Sequence, residues 1–131
     1  MLRIVRTGAL ILSSYVIAAI CAAVLVLLLL GAAANMGDWL PGAIFVVLVA
    51  GLVPFVVAIG VLYGIRQNGW LAHAVAGLAV SLVALVSTGP GMLVNPASLA
   101  ENWPVLVSGA IAGLIYWLAF RMLDRVIPRP A

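Results

Sequence analysis

The arginines of this chain lie at one end of four long apolar stretches. In chain order they are Arg3 and Arg6 before the first stretch, Arg66 between the second and third, and Arg121, Arg125 and Arg129 after the fourth. The two links at the opposite end carry only acidic charges, Asp38 and Glu101. Cytoplasmic loops of membrane proteins are enriched in arginine and lysine. The pattern therefore predicts four transmembrane helices with both termini in the cytoplasm.

The composition excludes a soluble globular domain. Hydrophobic residues make up 67% of the 131 residues and charged residues only 7%, whereas soluble domains contain about 45–50% apolar and about 25% charged residues. The net charge of +3 is too small and too scattered for a nucleic-acid surface. Anionic lipid headgroups are the expected counter-charge. Cys21 is expected to be a buried structural thiol, since a single cysteine cannot form an internal disulfide.

The predicted fold is an all-α integral membrane protein in which four transmembrane helices form a compact bundle. The chain is expected to be one domain with a short cytoplasmic tail, because a helix needs roughly 20 apolar residues to cross the hydrocarbon core and four such crossings use most of the sequence. The first apolar run exceeds the about 7–15 residues of a signal-peptide core, so we expect a retained helix. The predicted helices cover residues 7–34, 41–65, 70–88 and 104–123, and the tail residues 124–131.

Proline and glycine residues predict where the helices begin, bend or are interrupted. Pro41 is expected in the first turn of helix 2, and Gly51 with Pro54 should kink that helix near mid-membrane. The segment Asn95–Ser98 predicts a short surface helix between helices 3 and 4. An acid, a tryptophan and a proline begin both inward-running helices, so a parallel duplication of a two-helix hairpin remains an alternative.

Helix 3 carries the one pattern of polar and small residues that indicates a possible site. His73, Gly77, Ser81 and Thr88 recur on one helical face together with Ala84. The preferred interpretation is a helix-packing seam, because small and hydroxyl residues let membrane helices approach closely. The alternative is a polar path across the bilayer in which His73 takes up a proton or binds a cofactor.

Pairs of glycines four residues apart occur in two other helices. Gly60 and Gly64 in helix 2, and Gly109 and Gly113 in helix 4, are predicted to pack against other helices. Tyr116 could then donate a hydrogen bond across the helix 4 seam. These pairs favour a compact bundle or a docking face for another membrane subunit.

No set of side chains in the sequence predicts catalysis or a metal site. His73 is the single histidine and the one candidate for cofactor binding, and Met122 would be the second ligand of a haem on the same side of the membrane. The serines lack a neighbouring histidine and acid. We therefore expect no enzyme activity, no metal and no cofactor.

In size and four-helix layout the chain resembles the small multidrug-resistance exporters. Those proteins depend on a membrane-embedded glutamate in their first helix. No acidic residue lies within the first helix here, so the resemblance does not extend to their proton-coupled chemistry.

Three functions remain after these exclusions. The preferred one is a non-catalytic accessory or scaffold subunit of a larger bacterial inner-membrane complex, because embedded charges, which mark transport sites, are lacking. Its partners would be other membrane subunits or further copies of itself, and not nucleic acid. The alternatives are a small oligomeric transporter or lipid-handling channel that uses the helix 3 stripe, and a haem- or quinone-associated membrane anchor.

Overall fold

The computed structural model describes residues 2–31, 35–88 and 96–127, and all regular structure in these ranges is helical. Four of the helices are long and apolar enough to cross a membrane, which confirms the expected all-helical, multi-pass architecture. In chain order the helices are α1 (Leu2–Leu29), α2 (Met36–Gly64), α3 (Trp70–Thr88), α4 (Pro96–Glu101) and α5 (Trp103–Val126).

The first helix ends earlier than the sequence suggested. α1 stops at Leu29, whereas the expected end was residue 34. The reason is Gly31, whose φ of 73° lies in the left-handed region and whose N–H donates to the Leu28 carbonyl. A glycine in this conformation just beyond the last turn is a common helix stop. Residues 32–34 lie outside the described ranges.

The second helix is longer than predicted at its start. α2 begins at Met36, so Pro41 lies inside the helix and not in its first turn. The helix also continues through Gly51 and Pro54 as one element, and the predicted kink there stays a prediction. α2 ends in a Schellman-type turn in which Gln67 N–H donates to the Leu62 carbonyl.

The remaining helices agree with the sequence more closely. α3 has the expected bounds, and the Gly89–Gly91 break after it lies outside the described residues. The expected short helix is present as α4, although Asn95 is outside the described part. α5 opens at Trp103 and extends to Val126, three residues past the predicted end at residue 123.

Helix packing is uneven. α5 lies against both α1 and α3, which are the two most extensive helix pairs, while α2 packs mainly along α1 and α3 and meets α5 through a ring contact of Phe55. In α2 a single residue, Leu62, is buried. α1 contributes a long buried face, spaced three and four residues apart as helix packing requires: Leu10, Ser14, Tyr15, Ala18, Ala19, Ala22, Ala23 and Leu27.

One end of the helices is held by polar contacts, and we call it the arginine end. It comprises the start of α1, the turn between α2 and α3, and the last two turns of α5. The Arg6 guanidinium lies 2.8 Å from the Asp124 carboxylate and donates to the carbonyls of Asp124 (3.1 Å) and Ile127 (2.9 Å). Trp117 Nε1 donates to the Asn68 carbonyl at 2.9 Å. Among the described side chains, Arg6, Arg66, Arg121 and Arg125, which are far apart in the sequence, thus lie at one end of the fold.

Candidate functional site

The predicted stripe of α3 faces α5 at very short range. A Cβ atom added at Gly77 would lie 2.9 Å from the Gly113 nitrogen and would also overlap the Gly109 carbonyl. A Cβ at Gly109 would lie 2.6 Å from the Gly77 carbonyl oxygen and would overlap Ser81. A Cβ at Gly113 would lie 2.8 Å from the carbonyl carbon of His73. The two backbones touch, so only glycine fits at these three positions, and we call this contact the glycine seam.

The polar members of the stripe that are described bond to carbonyls within α3 or just before its start. Ser81 is buried and its hydroxyl donates to the Leu78 carbonyl at 2.8 Å. His73 Nδ1 lies 2.9 Å from the Gly69 carbonyl oxygen. Thr88 ends α3, and its side chain lies outside the described part. Whether the stripe also serves as a path stays a prediction, although its described members lie in or beside the glycine seam.

The two glycine pairs differ sharply. Gly109 and Gly113 lie in the glycine seam, but at Gly60 and Gly64 a Cβ atom would meet nothing within 4 Å. Both of the latter residues are exposed on α2. The predicted packing of Gly60 and Gly64 is therefore not made within the described chain, because that face of α2 turns away from the other helices.

The contact between α1 and α2 depends on a residue that sequence reasoning missed. The Tyr15 hydroxyl donates to the Leu48 carbonyl at 2.9 Å and lies 3.3 Å from the Val47 carbonyl. A Cβ at Gly51 would come within 3.2 Å of that hydroxyl. Gly51 thus lets a polar side chain of α1 approach the backbone of α2, one turn before Pro54.

Aromatic rings connect the four membrane-spanning helices. Tyr15 of α1 stacks on Phe55 of α2 with centroids 4.3 Å apart, and Phe55 meets Tyr116 of α5 edge-on at 5.2 Å. Tyr116 in turn lies 5.8 Å from the His73 ring and 6.2 Å from Phe120. His73 therefore belongs to an aromatic cluster that joins the four membrane-spanning helices.

A cavity of about 280 Å³ lies between the four membrane-spanning helices, and we call it the central cavity. Its wall is almost entirely apolar. Many small residues of α1, α3 and α5 contribute to it, and α2 forms one side. The rings of Tyr15, Phe55, His73 and Tyr116 line it. Apolar cavities of this kind are typically dry.

A second pocket, of about 460 Å³, lies at the arginine end, and we call it the polar pocket. Polar and charged residues form much of its wall: Tyr63, Asn68, Trp117, Arg121, Asp124 and Arg125. The two spaces also share wall residues, namely Ile59, Leu62, His73 and Tyr116. An apolar space and a charged space are thus neighbours with His73 and Tyr116 between them.

The charges in the polar pocket are not balanced within it. Asp124 is paired with Arg6 at 2.8 Å. The Arg121 guanidinium lies 4.7 Å from the centre of the Trp117 indole, a cation–π contact. Neither Arg121 nor Arg125 forms an ion pair with the described side chains. The pocket therefore presents positive charge, a feature that the sequence could have indicated through the spacing of the arginines on α5.

The other candidate ligands remain apart. Met122 is 64% exposed on α5, whereas His73 faces the aromatic cluster. Within the described residues, no group of three or more histidine, cysteine, aspartate or glutamate side chains could hold a metal ion. Cys21 is a partly buried free thiol.

No protein family matches the chain, and neither a curated protein nor a solved structure is significantly similar to it.

Proposed function

We propose that the protein is a non-catalytic accessory or scaffold subunit of a bacterial inner-membrane complex. The observation that carries this proposal is the glycine seam. Gly77 and Ser81, the residues that would line a polar path along α3, lie against Gly109 and Gly113 of α5. Because this face is in backbone contact with α5, its main contribution is to the stability of the fold.

The second helix supports an assembly role. Among its residues only Leu62 is buried, and its exposed Gly60 and Gly64 form a close-approach motif that no described residue of the chain occupies. Such a pair can receive a helix of another membrane protein. The arginine distribution favours cytoplasmic termini for the assembled subunit.

The test is extraction of the tagged chain from its native membrane in a gentle detergent, followed by native-gel sizing and mass spectrometry. An accessory subunit brings companions in fixed proportion, and G60L with G64L should release them while the chain itself stays folded. G42L is the matched control, because Gly42 also lies on α2 with nothing within 4 Å of a Cβ atom. A homogeneous chain without companions would contradict the proposal.

A lipid-handling protein is the second candidate, and the central cavity favours it. This cavity offers about 280 Å³ of apolar space inside the helices, close to the smaller ligand sites of proteins, which begin at about 300 Å³. His73, Gly77 and Ser81 of the α3 stripe also line this cavity, so transport by such a protein would use the cavity together with the stripe. Transfer of a fluorescent phospholipid between the leaflets of vesicles containing the purified chain tests this candidate.

A further inference from the structure

We propose that the central cavity and the polar pocket together form one binding site for an anionic phospholipid, with an acyl chain in the cavity and the phosphate at Arg121 and Arg125. The proposal does not depend on the accessory role, because a bound lipid can belong to a subunit or to a lipid-handling protein. It rests on the chemistry of the two spaces and on the residues they share.

The shape of the two spaces matches an amphiphile. The central cavity is bounded almost wholly by apolar atoms, and the polar pocket at the arginine end has charged and hydrogen-bonding groups in its wall. His73 and Tyr116 line both spaces. A molecule that extends from one to the other must therefore be apolar at one end and polar at the other, as a membrane lipid is.

The charge of the polar pocket selects the headgroup. Arg121 and Arg125 contribute two positive charges, and the Asp124 carboxylate in the same wall is already paired with Arg6 at 2.8 Å. Arginine binds phosphate through several N–H donors at once, which favours a phosphate headgroup. A zwitterionic headgroup would bring its own positive charge near the same guanidinium groups and bind less tightly.

The cavity is accessible to a lipid chain from the side of the helices. A groove of about 930 Å³ runs between α2 and α3 on their outer face. Five residues line both this groove and the central cavity, and three of them are alanines: Ala50, Ala58, Leu62, Ala76 and Val80. A small outward movement of α2 would join the two spaces, so an acyl chain can enter from the bilayer.

The experiment is native mass spectrometry of the full chain in detergent, titrated with dioleoyl phosphatidic acid or with dioleoyl phosphatidylcholine. These lipids have the same chains and differ in the headgroup. We expect one phosphatidic acid to bind at least about tenfold more tightly than phosphatidylcholine, the usual effect of charged hydrogen bonds. Inorganic phosphate at the same concentrations should not compete, because it lacks the chain.

Four variants separate this site from general attraction to lipid. R125Q should weaken phosphatidic acid binding about tenfold, whereas R66Q, at the same end but outside the pocket wall, should not. A58F fills the cavity wall and should also weaken binding, whereas V56F changes an exposed position that lines neither space. Equal affinity for the two lipids, or equal losses in R125Q and R66Q, would overturn the proposal. So would unchanged binding in A58F.

Discussion

The two sides of the fold are held together in different ways. On one side α3 and α5 touch backbone to backbone at the glycine seam, where an added methyl group at Gly77 would lie 2.9 Å from the nitrogen of Gly113. On the other side α2 is attached by the Tyr15 hydroxyl and by ring contacts of Phe55, and it covers a cavity. The seam glycines Gly77, Gly109 and Gly113 line the same cavity, so the closely packed α3–α5 pair forms its fixed wall and α2 forms its less tightly attached wall.

This contrast also implies a difference in motion. Regions with few buried contacts open at lower free energy than closely packed regions. α2, with a single buried residue, is therefore the helix that can move without disrupting the others. Since it forms one wall of the central cavity, its displacement would control access to that space.

The largest expected effect is at the glycine seam. G77L forces a side chain into the backbone of α5 and should cost at least about 3 kcal/mol, because overpacking is expensive where the neighbour cannot move. The matched control is G60L, where a Cβ atom meets nothing within 4 Å. Size-exclusion profiles and melting temperatures in detergent measure both. If G77L and G60L had the same melting temperature and the same size-exclusion profile, the proposed difference in packing between the two sides of the fold would be contradicted.

The second-largest loss of stability is expected when the polar contacts at the arginine end are removed. R6Q removes the ion pair with Asp124 and two bonds to carbonyls at the end of α5, and should cost about 2 kcal/mol for a partly buried group. D124N keeps the carbonyl bonds and should cost about half as much. Thermal unfolding of R6Q and D124N shows which of the two loses more stability, and the exposed R66Q is the control. A larger loss in D124N than in R6Q would contradict this geometry.

The attachment of α2 predicts a smaller effect. Y15F removes the hydrogen bond to the Leu48 carbonyl and should cost about 0.6–1 kcal/mol, the usual value for such bonds in membranes. G51A places a Cβ atom 3.2 Å from the same hydroxyl, so its cost should fall in the Y15F background. A double-mutant cycle from unfolding measurements tests this coupling. Strict additivity would mean that the tyrosine does not hold α2 at Gly51.

The smallest effect concerns two serines buried in α1 and α5. The Ser108 hydroxyl donates to the Pro104 carbonyl at 2.6 Å, whereas the Ser14 hydroxyl has no partner among the described residues. S108A should therefore destabilise the protein by about 0.5 kcal/mol, and S14A should be neutral or slightly stabilising. Melting temperatures of the two variants show whether each substitution stabilises or destabilises the protein. A clear loss in S14A would show that its hydroxyl has a partner after all.

Much of the architecture could be predicted from the sequence because the membrane imposes strong rules. Lengths of apolar runs predicted four helices that can cross a membrane, and arginine positions predicted which helix ends lie together. The predicted helix ends were wrong where a single residue determines the end of the helix. Gly31 ends α1 by its backbone conformation, and Pro41 is tolerated inside α2.

The candidate site was less predictable, since its contacts leave no pattern in the sequence. Gly60–Gly64 and Gly109–Gly113 have the same spacing, and only the fold distinguishes the exposed pair from the packed one. Tyr15 bonds to a backbone carbonyl 33 residues away, and a carbonyl has no sequence signature. Cavities are the spaces that remain unfilled when the helices pack together, so no pattern of residues in the sequence predicts them.

The most direct test of the central claim measures distances between helices by electron spin resonance. Spin labels at V75C and L118C report on α3 and α5, and labels at V56C and L118C report on α2 and α5, in a C21S background; all three labelled positions are exposed. A narrow distribution is expected for the first pair and a broader one for the second, which narrows when phosphatidic acid is added. Two equally narrow distributions, unchanged by lipid, would contradict a loosely held α2 over a lipid-binding cavity.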